Sequence, residues 1–303
     1  MSDTTLHLGI DAGELSLKVV LYDAEEKAVV KMASLDVPVS PLNDISTLET
    51  TIQNWLNETD IHDLASVSLT VSAFRAIVEQ IFVPPEVPDL DEYLKWFLST
   101  RINDNVSHYL LDYQKVQGSK ELGWTILFMA LRSELVYVVR KGFKNKKLIP
   151  QLMNIDVLAL LNLVELGYED SNSKRCIVKA DVSGVSVVWL SKDNLILYRG
   201  ISTLDLVGKN QTEAYQLLSK NIAACIQNVS KEFNIKTEAI ELCGDIATDS
   251  LFFETLQMTL PGNPVQLLNA LPKIKLNVDE AEASYLPLCA GALGVALQAA
   301  EGV

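Results

Sequence analysis

The sequence predicts an α/β protein built from two similar halves. Each half begins with three short apolar segments that read as strands joined by tight turns. The predicted strands are at 6–11, 16–22 and 28–37 in the first half and at 176–180, 185–190 and 195–201 in the second. An aspartate, Asp11 or Asp181, follows or ends the first strand of each set, and helical periodicity follows later in each half. This repetition predicts a duplicated two-lobed fold.

After its three opening strands, the first half continues with an amphipathic helix at 44–58 and a strand at 67–71. A stretch of different pattern follows. It has strands at 81–83, 110–116 and 125–131 and helices at 90–102 and from 133 onward. Asp89 is the expected N-cap of the helix at 90–102. We expect this stretch to be an inserted α+β subdomain of roughly 70 residues, a size at which a small unit can form its own core.

The remaining segments complete the division into domains. An apolar helix is predicted at 157–166, and the polar segment 169–174 separates the halves. The second half adds helices at 212–233, 250–260 and 288–298 and a strand at 240–243. The predicted domains are a first lobe at 1–72 plus 144–170, an inserted subdomain at 73–143, and a second lobe at 171–303.

Composition excludes several classes of protein. The chain has 303 residues, with 25 Lys and Arg against 39 Asp and Glu, for a net charge of −14. Its electrostatic field therefore opposes nucleic acid as a main partner. The longest uncharged apolar stretch, 286–300, is shorter than the ~20 residues of a membrane-spanning helix. The first residues lack the basic and apolar segments of a signal peptide, so we expect a cytoplasmic protein.

Cysteine and histidine do not indicate a metal site or a nucleophile. The four cysteines have no C-x-x-C spacing and stand in apolar runs, which predicts reduced and buried thiols. The three histidines form no metal-binding motif. The Walker motif G-x-x-x-x-G-K-[ST] is also missing from the sequence, which excludes that class of NTPase.

The two hairpins that begin at Asp11 and Asp181 are the main candidates for chemistry. A strand that ends in Asp and enters a glycine-containing turn, such as that of Gly13 or Gly184, can present backbone N–H groups to a phosphate. The carboxylate can reach a hydrated Mg²⁺. The alternative is a plain turn that uses Asp and Gly for their conformational tolerance. Because the pattern occurs in both halves, we favour a site between two facing hairpins.

Further motifs occur in a characteristic order. They are Phe82-Val83-Pro84, Leu111-Asp112-Tyr113-Gln114, Leu148-Ile149-Pro150, Asp156 to Asn162, Leu242 to Ala247 and Cys289 to Gly294. With the two hairpins, they resemble the PilM family, actin-like cytoplasmic proteins of type IV pilus assembly. The resemblance extends from residue 6 to 297. It implies a duplicated actin-like (ribonuclease H-like) two-lobed fold of the actin/Hsp70 ATPase type, with a small α+β subdomain inserted as in FtsA.

The resemblance also implies a nucleotide site, with ATP and Mg²⁺ left open as cofactors. The implied nucleotide-binding residues are Asp11, Gly13, Ser16, Lys18, Asp181, Gly184 and Gly244. Asp11 and Asp181 would hold the metal through Mg²⁺-bound water. No catalytic residue is assigned, although Asp156 is a candidate for orienting water if it is not a simple helix cap. Glu14, Ser183 and Asp245 depart from the family pattern, so efficient hydrolysis is not expected.

The same resemblance implies a scaffold as the function. Its partner would be the N-terminal segment of a PilN-like single-span inner-membrane protein, bound in a groove near the inserted subdomain, with 82–97 as the suspected region. A pilus motor ATPase or platform proteins would be further partners. The protein would be cytoplasmic and peripheral at the inner membrane, and homo-oligomerisation stays open. The alternatives are the cytoplasmic domain of a type II secretion platform protein and an active actin-fold ATPase.

Overall fold

Two larger sheets and one small sheet organise the computed structural model, which describes residues 5–14, 16–38, 40–168, 175–191, 194–235, 237–269 and 271–302. The first sheet has the order β14-β3-β2-β1-β4-β8. Its strands are β1 (Leu6–Ala12), β2 (Ser16–Asp23), β3 (Ala28–Asp36), β4 (Ser66–Val71), β8 (Leu152–Ile155) and β14 (Lys275–Leu276). Leu8 and Ile10 of β1 are fully buried, as expected for a central strand covered on its faces.

The second sheet repeats the plan of the first and has the order β11-β10-β9-β12-β13. Its strands are β9 (Arg175–Asp181), β10 (Gly184–Ser191), β11 (Asn194–Ser202), β12 (Ile240–Cys243) and β13 (Val265–Leu267). In each sheet an antiparallel hairpin, β1–β2 or β9–β10, lies beside a parallel strand, β4 or β12. The predicted repeat of strands is therefore confirmed. The predicted separating segment, 169–174, lies outside the described residues.

The helices are α1 (Ile45–Glu58), α2 (Leu90–Ser99), α3 (Ser133–Gly142), α4 (Asp156–Gly167), α5 (Gln211–Phe233), α6 (Ser250–Thr259), α7 (Glu280–Ala283) and α8 (Ala290–Ala300). None of the helices in the described ranges has the length and apolarity needed to cross a membrane. The Asp89 side chain accepts a hydrogen bond from the Glu92 N–H and caps α2, as the sequence predicts.

A small sheet forms the stretch that the sequence marks as an insertion. Its order is β5-β7-β6, with β5 (Ile77–Val83), β6 (Tyr109–Ser119) and β7 (Gly123–Arg132). Leu94 and Leu98 of α2 are buried in a cluster with Ile126 and Phe128 of β7. This stretch therefore has a core of its own, which leaves β6 as one edge strand of the small sheet.

Helices α4 and α8 pack against each other behind the first sheet, and α8 contacts β1, β2 and β4. The sequence-based boundary places 290–300 in the second lobe, but the helix formed by these residues lies on the first sheet. Sequence periodicity identified the helix without revealing which sheet it covers. Close approach depends on Gly294, where an added Cβ would collide with the carbonyl oxygen of Ala159.

Replacement of Gly294 by alanine tests the importance of this helix contact. We expect Gly294→Ala to lower the free energy of unfolding by about 2 to 3 kcal/mol, because a buried methyl group forces the helices apart. Gly262→Ala is the matched control, since nothing lies within 4 Å of an added Cβ there. Chemical denaturation should show a clear loss for the first variant only, and equal stability of both variants would contradict the packing described.

Candidate functional site between the two sheets

The candidate site lies where β1 and β9 end and face each other. Asp11 ends its hairpin strand, Asp156 begins α4, and Asp181 ends β9. The ammonium group of Lys179 lies among these three carboxylates. Its Nζ atom is 3.3 Å from Asp11 Oδ2 and 3.2 Å from Asp156 Oδ2, and it also contacts Asp181 Oδ2. All four residues are at most 5% exposed, so an intramolecular cation neutralises a buried acidic cluster.

Local structure explains how these side chains meet. Lys179 and Asp181 are two residues apart in β9, so both side chains project from the same face of the strand. Asp156 is held from its other side, because its Oδ1 atom accepts a hydrogen bond of 3.0 Å from the Ala73 N–H. An added Cβ at Gly291, in the first turn of α8, would lie 2.5 Å from Asp11 Oδ2. Asp11 is therefore confined by the helix as well as by Lys179.

Burial and mutual attraction set the charges in this cluster. Burial would lower the pKa of Lys179, but the carboxylates of Asp11, Asp181 and Asp156 raise that pKa well above its usual value. Burial raises the pKa of Asp11, and it raises the pKa of Asp156 to about 6. For Asp181 the two lysine charges outweigh burial, so its pKa is lowered. Lys179 is consequently a permanent cation at neutral pH.

A second buried lysine bridges the sheets in the opposite direction. Lys18 of β2 is 1% exposed and forms an ion pair with Asp245, which follows β12. Ser16 Oγ donates a 2.9 Å hydrogen bond to Asp245 Oδ1, and the Asp245 N–H donates a 2.8 Å bond to Asp181 Oδ1. Asp245, which the sequence analysis treats only as a departure from the family pattern, therefore connects the two hairpins.

Each glycine expected to make room for phosphate lies instead against a protein group. An added Cβ at Gly13 would lie 2.6 Å from Lys18 Nζ, and one at Gly244 would lie 2.6 Å from Asp181 Oδ1. At Gly184, with φ of +155°, an added Cβ would collide with the Phe74 ring. These glycines permit close packing between protein groups, which explains their presence without a ligand.

Two polar contacts cross the outer part of the cleft, and apolar side chains border it. Arg75 donates a 2.8 Å hydrogen bond to Glu14, and the hydroxyls of Ser72 and Ser183 are 3.1 Å apart. The remaining space, about 620 Å³, is bordered by exposed apolar side chains. These include Val182, Leu204 and Val207. Arg75 is the only cation among the described residues that line this space.

Comparison with solved structures decides the fold. A PilM-PilN type IV pilus biogenesis complex is similar over 97% of this chain and 98% of that chain, with a TM-score of 0.74 and 18% identity. A Bacteroides thetaiotaomicron protein with an actin-like ATPase fold covers 89% of this chain and 94% of its own, with a TM-score of 0.53 and 13% identity. This chain has the actin-like ATPase fold. The predicted fold class and the resemblance to PilM are thus confirmed at the level of the fold.

Some proteins that share this actin-like fold bind nucleotides. The activator of 2-hydroxyisocaproyl-CoA dehydratase from Clostridium difficile, with bound ADPNP, is similar over 98% of this chain and 95% of its own, with a TM-score of 0.51 and 9% identity. No protein-family model matches the sequence, and no curated protein matches it either. The likeness establishes the fold, and nucleotide binding has to be judged from this chain's own residues.

The residues in this actin-like cleft do not fit a Mg²⁺-triphosphate. Asp11 and Asp181, the two expected metal ligands, are paired with Lys179. Lys18, expected to contact phosphate, is paired with Asp245. A triphosphate would therefore meet carboxylates without an available lysine charge, which is unfavourable in a desolvated site. The described residues also hold no group of three His, Cys, Asp or Glu side chains arranged for a metal ion.

The structure brings together Asp11, Gly13, Ser16, Lys18, Asp181, Gly184 and Gly244, the residues singled out from the sequence, around one cleft. Asp156 also reaches it, but both of its oxygens are engaged by Lys179 and the Ala73 N–H. Lys179 and Arg75 were not predicted from the sequence as site residues. A signal for Lys179 was available, because a lysine two positions before Asp181 in an apolar strand must share its buried face.

The raised pKa of Asp156 predicts a pH dependence of stability. Since the folded-state pKa is about 6 and the unfolded value is about 3.8, the folded protein binds this proton more tightly. The resulting stabilisation is fully present below the unfolded pKa and is lost as pH rises through the folded pKa. Urea unfolding measures this effect as the free energy of unfolding of wild type minus that of Asp156→Asn. This difference should fall by about 2 to 3 kcal/mol between pH 4 and pH 7.

The control for this measurement is Asp36→Asn, which changes an exposed aspartate at the end of β3. It should follow the wild-type profile within about 0.5 kcal/mol at each pH. A difference between wild type and Asp156→Asn that stays constant, or that grows with rising pH, would contradict the buried state of Asp156.

Proposed function

We propose that this chain is a cytoplasmic actin-like scaffold of type IV pilus biogenesis. It would bind the N-terminal segment of a PilN-like inner-membrane protein and link it to the pilus motor ATPase or platform proteins. The similarity to a PilM-PilN complex across almost the full length of both chains supports this proposal. The buried state of Asp156 supports a role in assembly without efficient ATP hydrolysis, because its carboxylate has no free oxygen to orient water.

A groove beside the inserted sheet is the surface that best suits such a partner. Leu110 of β6 is 51% exposed and borders three adjoining depressions. The largest, with a volume of about 840 Å³, extends along α3 and includes Tyr137, which is 63% exposed. Val136 and Ile149 also line it. Large apolar side chains that remain exposed together are typical of a protein-binding surface.

The shape of the groove favours an extended segment with apolar side chains. β6 is an edge strand that pairs with β7 on one side, and an edge strand offers backbone N–H and C=O groups to an added strand. Asp112 lies near one part of the groove, while Arg140 and Lys141 border another. An extended segment could place its apolar side chains in the depressions while its backbone forms hydrogen bonds with the edge of β6.

The suspected region at 82–97 contributes to only one end of this groove. Asp91, Leu94 and Lys95 of α2 line the depression beside β6. Phe82 lies on β5, at the opposite edge of the small sheet, although it is 56% exposed. The proposed binding surface therefore centres on β6 and α3, with α2 at its end.

The proposal is tested with a fluorescent peptide that carries the N-terminal segment of a PilN-like single-span inner-membrane protein from the same organism. Wild type should bind it at tens of micromolar or tighter in a fluorescence anisotropy titration. Leu110→Arg should weaken binding at least about tenfold, because a charge would replace the central apolar contact.

Leu122→Arg is the matched control, since Leu122 is 76% exposed and lies outside the three depressions. It should bind as wild type does. Failure of the wild type to bind the peptide would contradict the proposal that a PilN-like protein is its partner. Equal weakening by both substitutions would overturn the assignment of the groove.

A further inference from the structure

We infer that two buried lysines act as built-in counter-ions that hold the actin-like lobes together without Mg²⁺ or nucleotide. Lys18 projects from the first sheet and pairs with Asp245 beside the second. Lys179 projects from the second sheet and pairs with Asp11 and Asp156 of the first lobe, as well as with Asp181. These interactions are called the crossed lysine pair here.

The position of Lys179 carries this inference. Its ammonium group contacts the same two carboxylates, Asp11 and Asp181, that the sequence assigns to hydrated Mg²⁺. A divalent ion and this ammonium group would therefore compete for the same ligands. Because Lys179 is covalently attached to β9, its local concentration is permanently high, and no ligand has to be recruited.

The aspartates of the cleft need cations nearby, and the two lysines supply them in place of a bound metal ion. Four aspartates, Asp11, Asp156, Asp181 and Asp245, face the two lysines. Buried carboxylates without cations would be unstable, so some positive group is required at this place. The two lysines supply two of the positive charges that these four carboxylates require.

Packing around the lysines leaves little room for phosphate. The Phe74 ring covers Gly184 of the second hairpin, while Lys18 lies against Gly13 of the first. The Asp245 carboxylate occupies the space between the hairpins, where it accepts a hydrogen bond from Ser16 and forms an ion pair with Lys18. A phosphate group would have to break these contacts and then face the Asp245 charge. The crossed lysine pair therefore both holds the two lobes together and prevents a nucleotide phosphate from binding between the hairpins.

Because protein groups close the cleft, a ligand is not needed to set the distance between the lobes. In a two-state protein a ligand shifts the population only through a difference in affinity between the states. Here the groups that could distinguish an open from a closed cleft are already paired within the chain. The distance between the lobes is consequently set by the sequence, and a partner would meet one constant shape.

The first experiment uses the wild-type protein and Mg-ATP. Calorimetric titration should show no binding, and the melting temperature in millimolar Mg-ATP should stay within about 1 °C of its value in buffer. A nucleotide present at 100 times its dissociation constant would raise the melting temperature by roughly 5 °C. Binding with such a shift would overturn the inference, whatever the result of the peptide titration.

The second experiment removes the Lys179 charge. Lys179→Met should lower the melting temperature by roughly 6 to 9 °C, because three buried carboxylates lose their cation. Lys220→Met, at an exposed position of α5, should change it by no more than about 1 °C. Adding Asp156→Asn to Lys179→Met should recover part of the loss by removing one unpaired carboxylate. Equal melting temperatures of Lys179→Met and Lys220→Met would overturn the role of Lys179.

If Lys179→Met does not fold, the nucleotide titration of the wild type decides the question. Lack of Mg-ATP binding by a folded wild-type protein supports closure by protein groups, and micromolar binding refutes it. Both results are independent of the pilus assignment, since a scaffold of the proposed kind can act with or without nucleotide.

Discussion

A lysine charge buried among carboxylates is the constraint on which this structure depends. Lys179 is 2% exposed, and a charge so far from water is stable only when oppositely charged groups surround it. Those groups come from three places in the chain: the end of β1, the start of α4 and the end of β9. Asp181 belongs to the same strand as Lys179, whereas Asp11 and Asp156 belong to the first half, so the full set of three contacts requires the two halves to approach closely.

The same requirement explains several details that a nucleotide would otherwise account for. The tight hairpins at Gly13 and Gly184 allow Lys18 and Phe74 to lie directly on the backbone. Asp245 accepts a hydrogen bond from the Ser16 hydroxyl and forms an ion pair with Lys18, so it connects the first hairpin to the second lobe. An actin-like fold can thus keep its two-lobed form after the chemistry of its cleft has been replaced. A constant shape would suit the proposed presentation of the β6 groove to a partner.

Much of the fold could be predicted from the sequence because local patterns encode it. Short apolar segments joined by tight turns marked the paired strand sets, and Asp89 marked the start of α2. The ends of β1 and β9 were recognised as one site because Asp11 and Asp181 repeat in matching contexts. By contrast, the packing of α8 against the first sheet could not be predicted, since an apolar helix gives no sign of which sheet it will cover.

The pairing within the cleft was harder to predict because it joins residues far apart in the chain. Lys18 and Asp245 are separated by more than two hundred positions, and each is unremarkable by itself. A glycine in a turn also allows close approach of more than one kind of group. The sequence around Gly184 is equally consistent with a phosphate and with the Phe74 ring that lies there. Lys179 offered the one local clue, a charged residue on the buried face of a central strand.

Hydrogen exchange offers the most direct test that the lobes are held together by protein groups. The amides of β9 and of the turn at 244–247 should be measured by mass spectrometry with and without millimolar Mg-ATP. We expect slow exchange that is the same in both conditions, because the lysine pairs already close the cleft. Exchange that is fast in buffer and becomes slow when Mg-ATP is added would show that a ligand, and not Lys179, holds the lobes together.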